Sequence, residues 1–194
     1  MSTVRPGEKT TVVLCDGYAS ILHVVRRLVL VNGLPGSGKT TLATGLAATL
    51  PASLVSKDAI KEALATAVDG ASSTALGAAA MDAAWTLVAA IGGTVVFDSW
   101  WFKPRDLRYA EAGIRRAGRP PVVEVWCDVP LQVARQRYEA RERASIHRAG
   151  QVEAWSDWAD RGEPLDIGPT LHVNTERPVD VARVARQVLD ALTG

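Results

Sequence analysis

Short apolar runs alternate along the chain with longer segments in which apolar residues recur at helical spacing. Runs that are apolar throughout are typical of strands buried on both faces of a parallel sheet. The predicted strands are Leu28–Asn32, Ala52–Ser56, Thr94–Asp98, Val122–Cys127 and Thr170–Asn174. The predicted helices are Lys39–Thr49, Asp58–Val68, Thr74–Ile91, Pro104–Ala117, Leu131–His147 and Val179–Leu192. This alternation predicts an α/β protein of three layers, with helices on both faces of a mainly parallel five-stranded sheet.

The length of 194 residues predicts one domain, which we place at residues 27–194. Residues 1–26 form an N-terminal extension and allow two interpretations. Thr10–Cys15 can be an extra β segment, or the whole stretch can be a poorly ordered extension outside the domain.

Composition excludes several classes of protein. Hydrophobic residues make up 47% and charged residues 22%, which is ordinary for a globular chain and argues against disorder. The net charge of +1 provides no bulk positive field for nucleic acid or an anionic membrane. Cys15 and Cys127 lack the spacing of a disulfide framework or a zinc site, so a reducing cytoplasm is expected. The sequence has no run of about 18 apolar residues, so we expect no membrane partner.

A glycine-rich turn between the first predicted strand and its helix carries the strongest chemical signal. Gly33, Gly38, Lys39 and Thr40 complete the pattern G-x-x-x-x-G-K-[ST], whose backbone N–H groups surround phosphate oxygens. Glycine lets bare backbone approach the anion, and the following helix adds the positive end of its dipole. The predicted ATP-binding residues of this loop are Gly33, Leu34, Pro35, Gly36, Ser37, Gly38, Lys39, Thr40 and Thr41.

The segment LVSKDAIKEAL places Asp58 where the second predicted strand gives way to a helix, with Lys61 about one turn later. A carboxylate there can accept the proton of a hydroxyl that attacks the γ-phosphoryl group of ATP. The alternative is structural: Ser56 or Asp58 caps the helix, with Glu62 in its first turn. The pattern leaves both interpretations open.

The segment TVVFDSWW ends a predicted buried strand at Asp98, where a carboxylate can hold Mg²⁺ together with the hydroxyl of Thr40. A cap or turn residue is the structural alternative for Asp98.

Trp100 and Trp101 follow, and two large aromatics at a strand end can form a stacking wall for a substrate. Core or lid packing is the other interpretation of this pair.

Arginines concentrate in the fifth predicted helix and just after it, at Arg135, Arg137, Arg141, Arg143 and Arg148. Arg137 and Arg141 are four residues apart and share a helix face, so both can point at phosphates and stabilise the transferred group. A solvated face paired with Glu139 and Glu142 is the alternative. We interpret His147 as structural.

The segments GLPGSGKTT, SKDAIKEAL and VVFDSWW, followed by the arginine-rich helix, resemble the small P-loop kinases of the AAA_33 or zeta-toxin-like group. That group includes chloramphenicol phosphotransferase and the phage-type polynucleotide 5′-kinase. The resemblance covers residues 28–192 and implies a P-loop kinase fold, an arginine-bearing lid, and ATP with Mg²⁺.

Residue by residue, the resemblance implies a general base at Asp58 and a substrate-binding cation at Lys61. It implies lid arginines at Arg137 and Arg141, counted from the Val-Pro pair that opens the lid, and an adenine loop in the segment NTERPV. The cofactor residues implied in that loop are Asn174, Thr175 and Pro178. Lys61 stands where the phage-type enzyme has an arginine, so the acceptor need not carry a phosphate.

These patterns support three hypotheses. The first is an ATP- and Mg²⁺-dependent kinase that phosphorylates a hydroxyl of a small molecule such as an antibiotic, a nucleoside or a sugar. The second is a kinase for nucleic-acid 5′ ends, which the near-neutral charge does not favour. The third is a nucleotide-binding switch without an acceptor, in which Asp58 is only a cap.

Overall fold

The computed structural model describes residues 12–15, 18–21, 25–140 and 151–193. The strands are β1 Val12–Cys15, β2 Tyr18–Ile21, β3 Val25–Asn32, β4 Ser53–Ser56, β5 Gly93–Asp98, β6 Val122–Asp128 and β7 Thr170–Asn174. The helices are α1 Lys39–Thr49, α2 Lys57–Ala67, α3 Ser73–Ala90, α4 Lys103–Arg116, α5 Leu131–Glu139, α6 Gln151–Arg161 and α7 Val181–Ala191.

Five strands form one parallel sheet in the order β4-β5-β3-β6-β7. The central strand β3 carries the glycine-rich turn at its carboxyl end. Strands β1 and β2 form a separate antiparallel pair. The predicted α/β fold with a mainly parallel five-stranded sheet is confirmed.

Alternate residues of β3 are buried on opposite faces of the sheet. Val29 and Val31 pack in one core cluster with α1 and α7, whereas Leu28 and Leu30 pack in a second cluster with α3 and α4. All four side chains are fully buried, and each such burial is worth about 1.5–3 kcal/mol. Helices on both faces follow from these two apolar surfaces.

Predicted and observed elements differ most at β3, α5 and α6, and the other boundaries agree to within one or two residues. Strand β3 begins at Val25, three residues earlier than predicted, so it runs across the predicted boundary between residues 26 and 27. Helix α5 ends at Glu139 rather than at His147, and residues 141–150 lie outside the described residues. Helix α6 was not predicted at all. Within the described ranges, no helix is both long and apolar enough to cross a bilayer.

Polar residues gather at the carboxyl edge of the sheet because parallel strands end on the same side. The last residues of the five strands are Asn32, Ser56, Asp98, Asp128 and Asn174. Ser56 pairs in register with Asp98, and Asp128 pairs with Asn174. The candidate site lies at this edge.

Candidate nucleotide and acceptor site

The glycine-rich turn has the backbone geometry of a phosphate cradle. Gly33, Gly36 and Gly38 have φ values of 140°, 84° and 88°, a region that side chains strongly disfavour. A Cβ atom at Gly36 would lie 2.1 Å from the carbonyl oxygen of Ala134 in α5, so glycine is also required sterically. Among the described residues, the buried hydroxyl of Ser37 has no hydrogen-bond partner. The loop therefore fits the phosphates of ATP, and the Ser37 hydroxyl is a buried polar group to which the residues that the structure describes offer no hydrogen bond.

Lys39 and Thr40 begin α1 directly after this turn. The Lys39 ammonium donates to the carbonyl oxygen of Leu34 at 3.0 Å, which holds the side chain back along the loop. The Ser56 hydroxyl donates to the carboxylate of Asp98, with an Oγ to Oδ2 distance of 3.3 Å, and the Thr40 hydroxyl is close enough to lower the pKa of that carboxyl. The two residues predicted to hold Mg²⁺ are thus brought together by the fold.

Burial raises the pKa of Asp98 above its ordinary value, while the charge of Lys39 and the hydrogen bonds from Thr40 and Ser56 lower it. Its carboxylate is almost completely buried. In the described part of the chain, no group of three or more His, Cys, Asp or Glu side chains is arranged around a metal position. The donors present, one hydroxyl and one carboxylate, suit a cation whose remaining ligands are phosphate oxygens and water.

A cavity of about 680 Å³ opens next to Lys39 and is bounded by helices α2, α3, α4 and α6. Its charged lining residues are Lys39, Lys57, Asp58, Lys61, Asp82, Arg105, Asp106 and Arg116. The apolar and aromatic side chains of its wall are Pro35, Ala78, Met81, Trp85, Tyr109, Ala112, Trp100 and Trp158. A pocket of this size and composition suits a small molecule with an apolar body.

Asp58 is the second residue of α2, and its side chain is 47% exposed. Its Oδ1 atom lies 3.5 Å from the ammonium of Lys57. Ser56, at the N-cap position, makes no side-chain capping bond, since its hydroxyl is directed to Asp98. The Ser56 cap considered from the sequence is therefore wrong, and Asp58 lies at the cavity.

Lys61 also lines the cavity and is buried, with 6% of its surface exposed. Its ammonium donates to the hydroxyl of Ser73 on α3 at 2.7 Å. Burial lowers the pKa of Lys61, as does the charge of Lys57, while Asp58 raises it. Lys61 is thus a cation whose burial costs free energy, placed one helical turn from Asp58.

Lys61→Met should raise the free energy of unfolding at pH 7 by about 1 kcal/mol, because methionine fills similar space without a buried charge. In the unmodified protein, stability should rise with pH between the lowered pKa of Lys61 and 10.5, because the folded state has released a proton that the unfolded state still binds. Urea denaturation of both proteins across that range tests this. Parallel pH profiles would contradict it.

The two adjacent tryptophans point in opposite directions. Trp100 lines the cavity, and its ring centroid lies 6.2 Å from that of Trp158 on α6. Trp101 is 0% exposed and packs against Trp85 and Phe97, with centroids 5.8 Å and 5.0 Å away. The predicted substrate contact at Trp101 must therefore be corrected, because neighbouring side chains of an extended segment face opposite sides.

Trp101→Ala should lower the free energy of unfolding by about 3–5 kcal/mol, since it removes a fully buried ring from the core. Trp100→Ala is the matched variant and should cost about 1–2 kcal/mol, because that ring is half-buried. Chemical denaturation measures both changes. Equal losses in the free energy of unfolding would show that Trp101 is not more deeply buried than Trp100.

Arg137 joins α5 to the loop after β7. Its Nη1 and Nη2 atoms donate to the carbonyl oxygens of Thr175 and Glu176 at 3.0 Å and 2.7 Å. Thr175 in turn donates from its N–H and hydroxyl to the carbonyl of Asp128, at 2.8 Å and 3.0 Å. Asn174 accepts from the backbone N–H of Glu176 at 2.9 Å. Residues 174–179 were predicted to hold adenine. This segment is therefore bound at Thr175 and Glu176 by Arg137, the residue that was predicted to contact phosphates.

The remaining predicted lid residues, Arg141, Arg143, His147 and Arg148, lie outside the described residues. Sequence reasoning missed Trp158, which forms part of the cavity wall. The spacing of Trp155 and Trp158 in AWSDWADR was the available signal, since positions three apart share a helix face. It also missed Arg105, whose guanidinium forms two bonds of 2.7 Å with Asp106 inside the cavity wall.

A family model, AAA_33, described as an AAA domain, matches residues 28–165 and so spans most of the sheet and both helical layers. The chain belongs to the AAA_33 family. Its resemblance to small P-loop kinases of this group is confirmed.

A curated protein and several solved structures are also similar to this chain. The chain is 28% identical over 166 residues to the uncharacterized protein Rv2004c of Mycobacterium tuberculosis (strain ATCC 25618 / H37Rv), covering 76% of this chain. The match spans 33% of the length of the Mycobacterium tuberculosis protein. A proposed kinase from Chloroflexus aurantiacus j-10-fl superposes with a TM-score of 0.75 and 26% identity, over 86% of this chain and 98% of that one.

The Mycobacterium tuberculosis APS kinase CysC, solved in complex with AMPPNP and APS, has the same fold at 21% identity. Its TM-score is 0.58, with 87% of this chain and 98% of that chain covered. This AAA_33 member therefore has the fold of P-loop kinases that act on small molecules.

Proposed function

We propose that this protein is an ATP- and Mg²⁺-dependent kinase that transfers the γ-phosphoryl group to a hydroxyl of a small molecule. The observation that supports it best is that Lys39 of the phosphate loop and Asp58 line the same cavity. A hydroxyl in that cavity can lie beside both a proton acceptor and the site of the γ-phosphate.

In this proposal, Asp58 accepts the proton of the acceptor hydroxyl as its oxygen attacks phosphorus. Lys39 and the backbone N–H groups of residues 33–38 stabilise charge on the phosphate oxygens, and Arg141 is the arginine expected to contribute from the lid. Thr40 and Asp98 hold Mg²⁺, which neutralises phosphate charge when bound. Asn174, Thr175 and Pro178 hold adenine, with Arg137 ordering that loop.

The charges of the cavity favour a small acceptor over a polynucleotide. Arg105 is paired with Asp106, and Arg116 is paired with Asp82 at 3.0 Å, so these two cations are already compensated. A backbone-tracking surface needs a row of cations directed at phosphates. Lys61 is placed to contact a polar group of the acceptor, while Trp100 and Trp158 contact its apolar body.

Transfer from γ-phosphate-labelled ATP, with Mg²⁺, into pools of antibiotics, nucleosides, sugars and 5′-hydroxyl oligonucleotides tests the proposal. We expect a labelled product in one small-molecule pool and no label in the oligonucleotide. Labelled oligonucleotide, with binding that weakens steeply with salt, would replace the proposal by the 5′-end kinase. ATP binding without any labelled product would favour a nucleotide switch.

A further inference from the structure

A fully buried carboxylate, Glu124 on β6, has no part in the reaction proposed above. One of its oxygens accepts from the side-chain amide of Asn32 at 2.9 Å. The backbone N–H of Leu165 donates to both oxygens at 3.0 Å and 2.8 Å, and that of Asp166 donates at 3.3 Å. Burial raises the pKa of Glu124, and these hydrogen bonds lower it.

Asn32, the last residue of β3, uses all of its side-chain hydrogen-bonding capacity in the same network. Its Oδ1 atom accepts from the backbone N–H of Gly33 at 2.7 Å and of Trp101 at 2.9 Å. Its Nδ2 atom donates to the carbonyl of Trp101 at 3.2 Å and to Glu124. Gly33 is the first residue of the phosphate loop.

The network therefore joins three segments that each contribute to the site. Gly33 leads into the phosphate loop, Trp101 follows the cavity residue Trp100, and Leu165 follows helix α6, which carries the cavity residue Trp158. The side chain of Leu34 in the phosphate loop packs with Trp158 and Trp100. The buried pair thus connects the phosphate loop with the two segments that carry the aromatic wall.

We propose that Glu124 and Asn32 are positioning residues that couple occupancy of the phosphate loop to the placement of the acceptor wall. This inference rests on the proposed nucleotide site. ATP binding fixes the backbone at Gly33, and the fixed amide of Asn32 transmits that constraint through Glu124 to the segment at Leu165. Neither residue touches the reacting atoms.

The direction of each hydrogen bond provides the test. In Glu124→Gln the side-chain NH₂ must face either the Asn32 amide or the Leu165 N–H, so two donors oppose each other. Rotating the Asn32 amide does not help, since its NH₂ would then face the N–H groups of Gly33 and Trp101.

Affinity for ATP, measured by calorimetry, should fall about tenfold in Glu124→Gln, the effect of one lost charge-assisted hydrogen bond. Val123→Ala is the control, because it removes buried methyl groups from the opposite face of the same strand and should leave affinity within about twofold.

Unchanged affinity in folded Glu124→Gln, or an equal loss in Val123→Ala, would each overturn the inference. If Glu124→Gln does not fold, hydrogen exchange of the unmodified protein decides. Saturating ATP should slow exchange at the Leu165 and Asp166 amides by about threefold or more, and no change there would overturn the inference.

These readouts need ATP binding but no phosphoryl transfer. Absence of a labelled product with ATP binding intact would therefore reject the proposed reaction alone. Absence of ATP binding by the unmodified protein would reject both.

Discussion

Asp58→Asn should lower the turnover of phosphoryl transfer by about 10²–10⁴-fold, the range expected when a general base is removed. The substitution keeps the size of the side chain but removes its ability to take a proton. Asp58 lies on α2, outside the phosphate loop, so ATP affinity should remain within about twofold of the original.

The measurement is kcat for the acceptor found in the labelled panel, together with the Kd for ATP by calorimetry. Asp190→Asn on α7 is the matched control, since this exposed aspartate lies on the opposite side of the sheet from α2 and α3. If Asp58→Asn retains more than about half of the turnover, Asp58 is not the base. The nucleotide switch would then be the better description.

Gly36→Ala should weaken ATP binding by about 100-fold and lower the free energy of unfolding by about 2–4 kcal/mol. Two causes add: the left-handed φ of 84° costs about 1–2 kcal/mol for a residue with a Cβ atom, and the methyl group would overlap the Ala134 carbonyl oxygen at 2.1 Å. Either the loop or α5 must move, and the N–H groups then no longer converge on phosphate.

Gly70→Ala separates these two causes. Gly70 has a φ of 75°, but a Cβ atom there would meet nothing within 4 Å. It should therefore cost about 1–2 kcal/mol of stability and leave ATP affinity unchanged. Calorimetry and chemical denaturation of both variants check the pair, and equal ATP affinities in both would refute the steric role of the α5 contact.

The phosphate loop could be predicted from sequence because its chemistry is local. Gly33 to Thr40 span one turn between a strand and a helix, so spacing alone specifies which groups face the anion. The strand ends Asp98 and Asn174 were also predictable, since alternation of apolar runs and helices predicts a parallel sheet with all carboxyl ends on one edge.

The lid shows where such reasoning fails. The helical pattern after Pro130 predicted one helix to His147, but α5 ends at Glu139 and a further helix, α6, carries Trp158 into the cavity wall. The pattern predicted that Arg137 points at phosphates. In the structure its guanidinium donates to the backbone carbonyls of Thr175 and Glu176, which are 38 and 39 residues away. A helix face can be predicted from sequence, but its partner cannot.

The sequence by itself determined the α/β sheet, the phosphate loop and the carboxylates at the strand ends, because each depends on residues within one or two turns of chain. Tertiary structure alone decided that Trp100 faces the cavity while Trp101 is buried, and that Glu124 is satisfied by Asn32 and Leu165. Those contacts join residues up to 92 positions apart. Burying a carboxylate is tolerable only when such partners meet it, and that depends on packing of the whole chain.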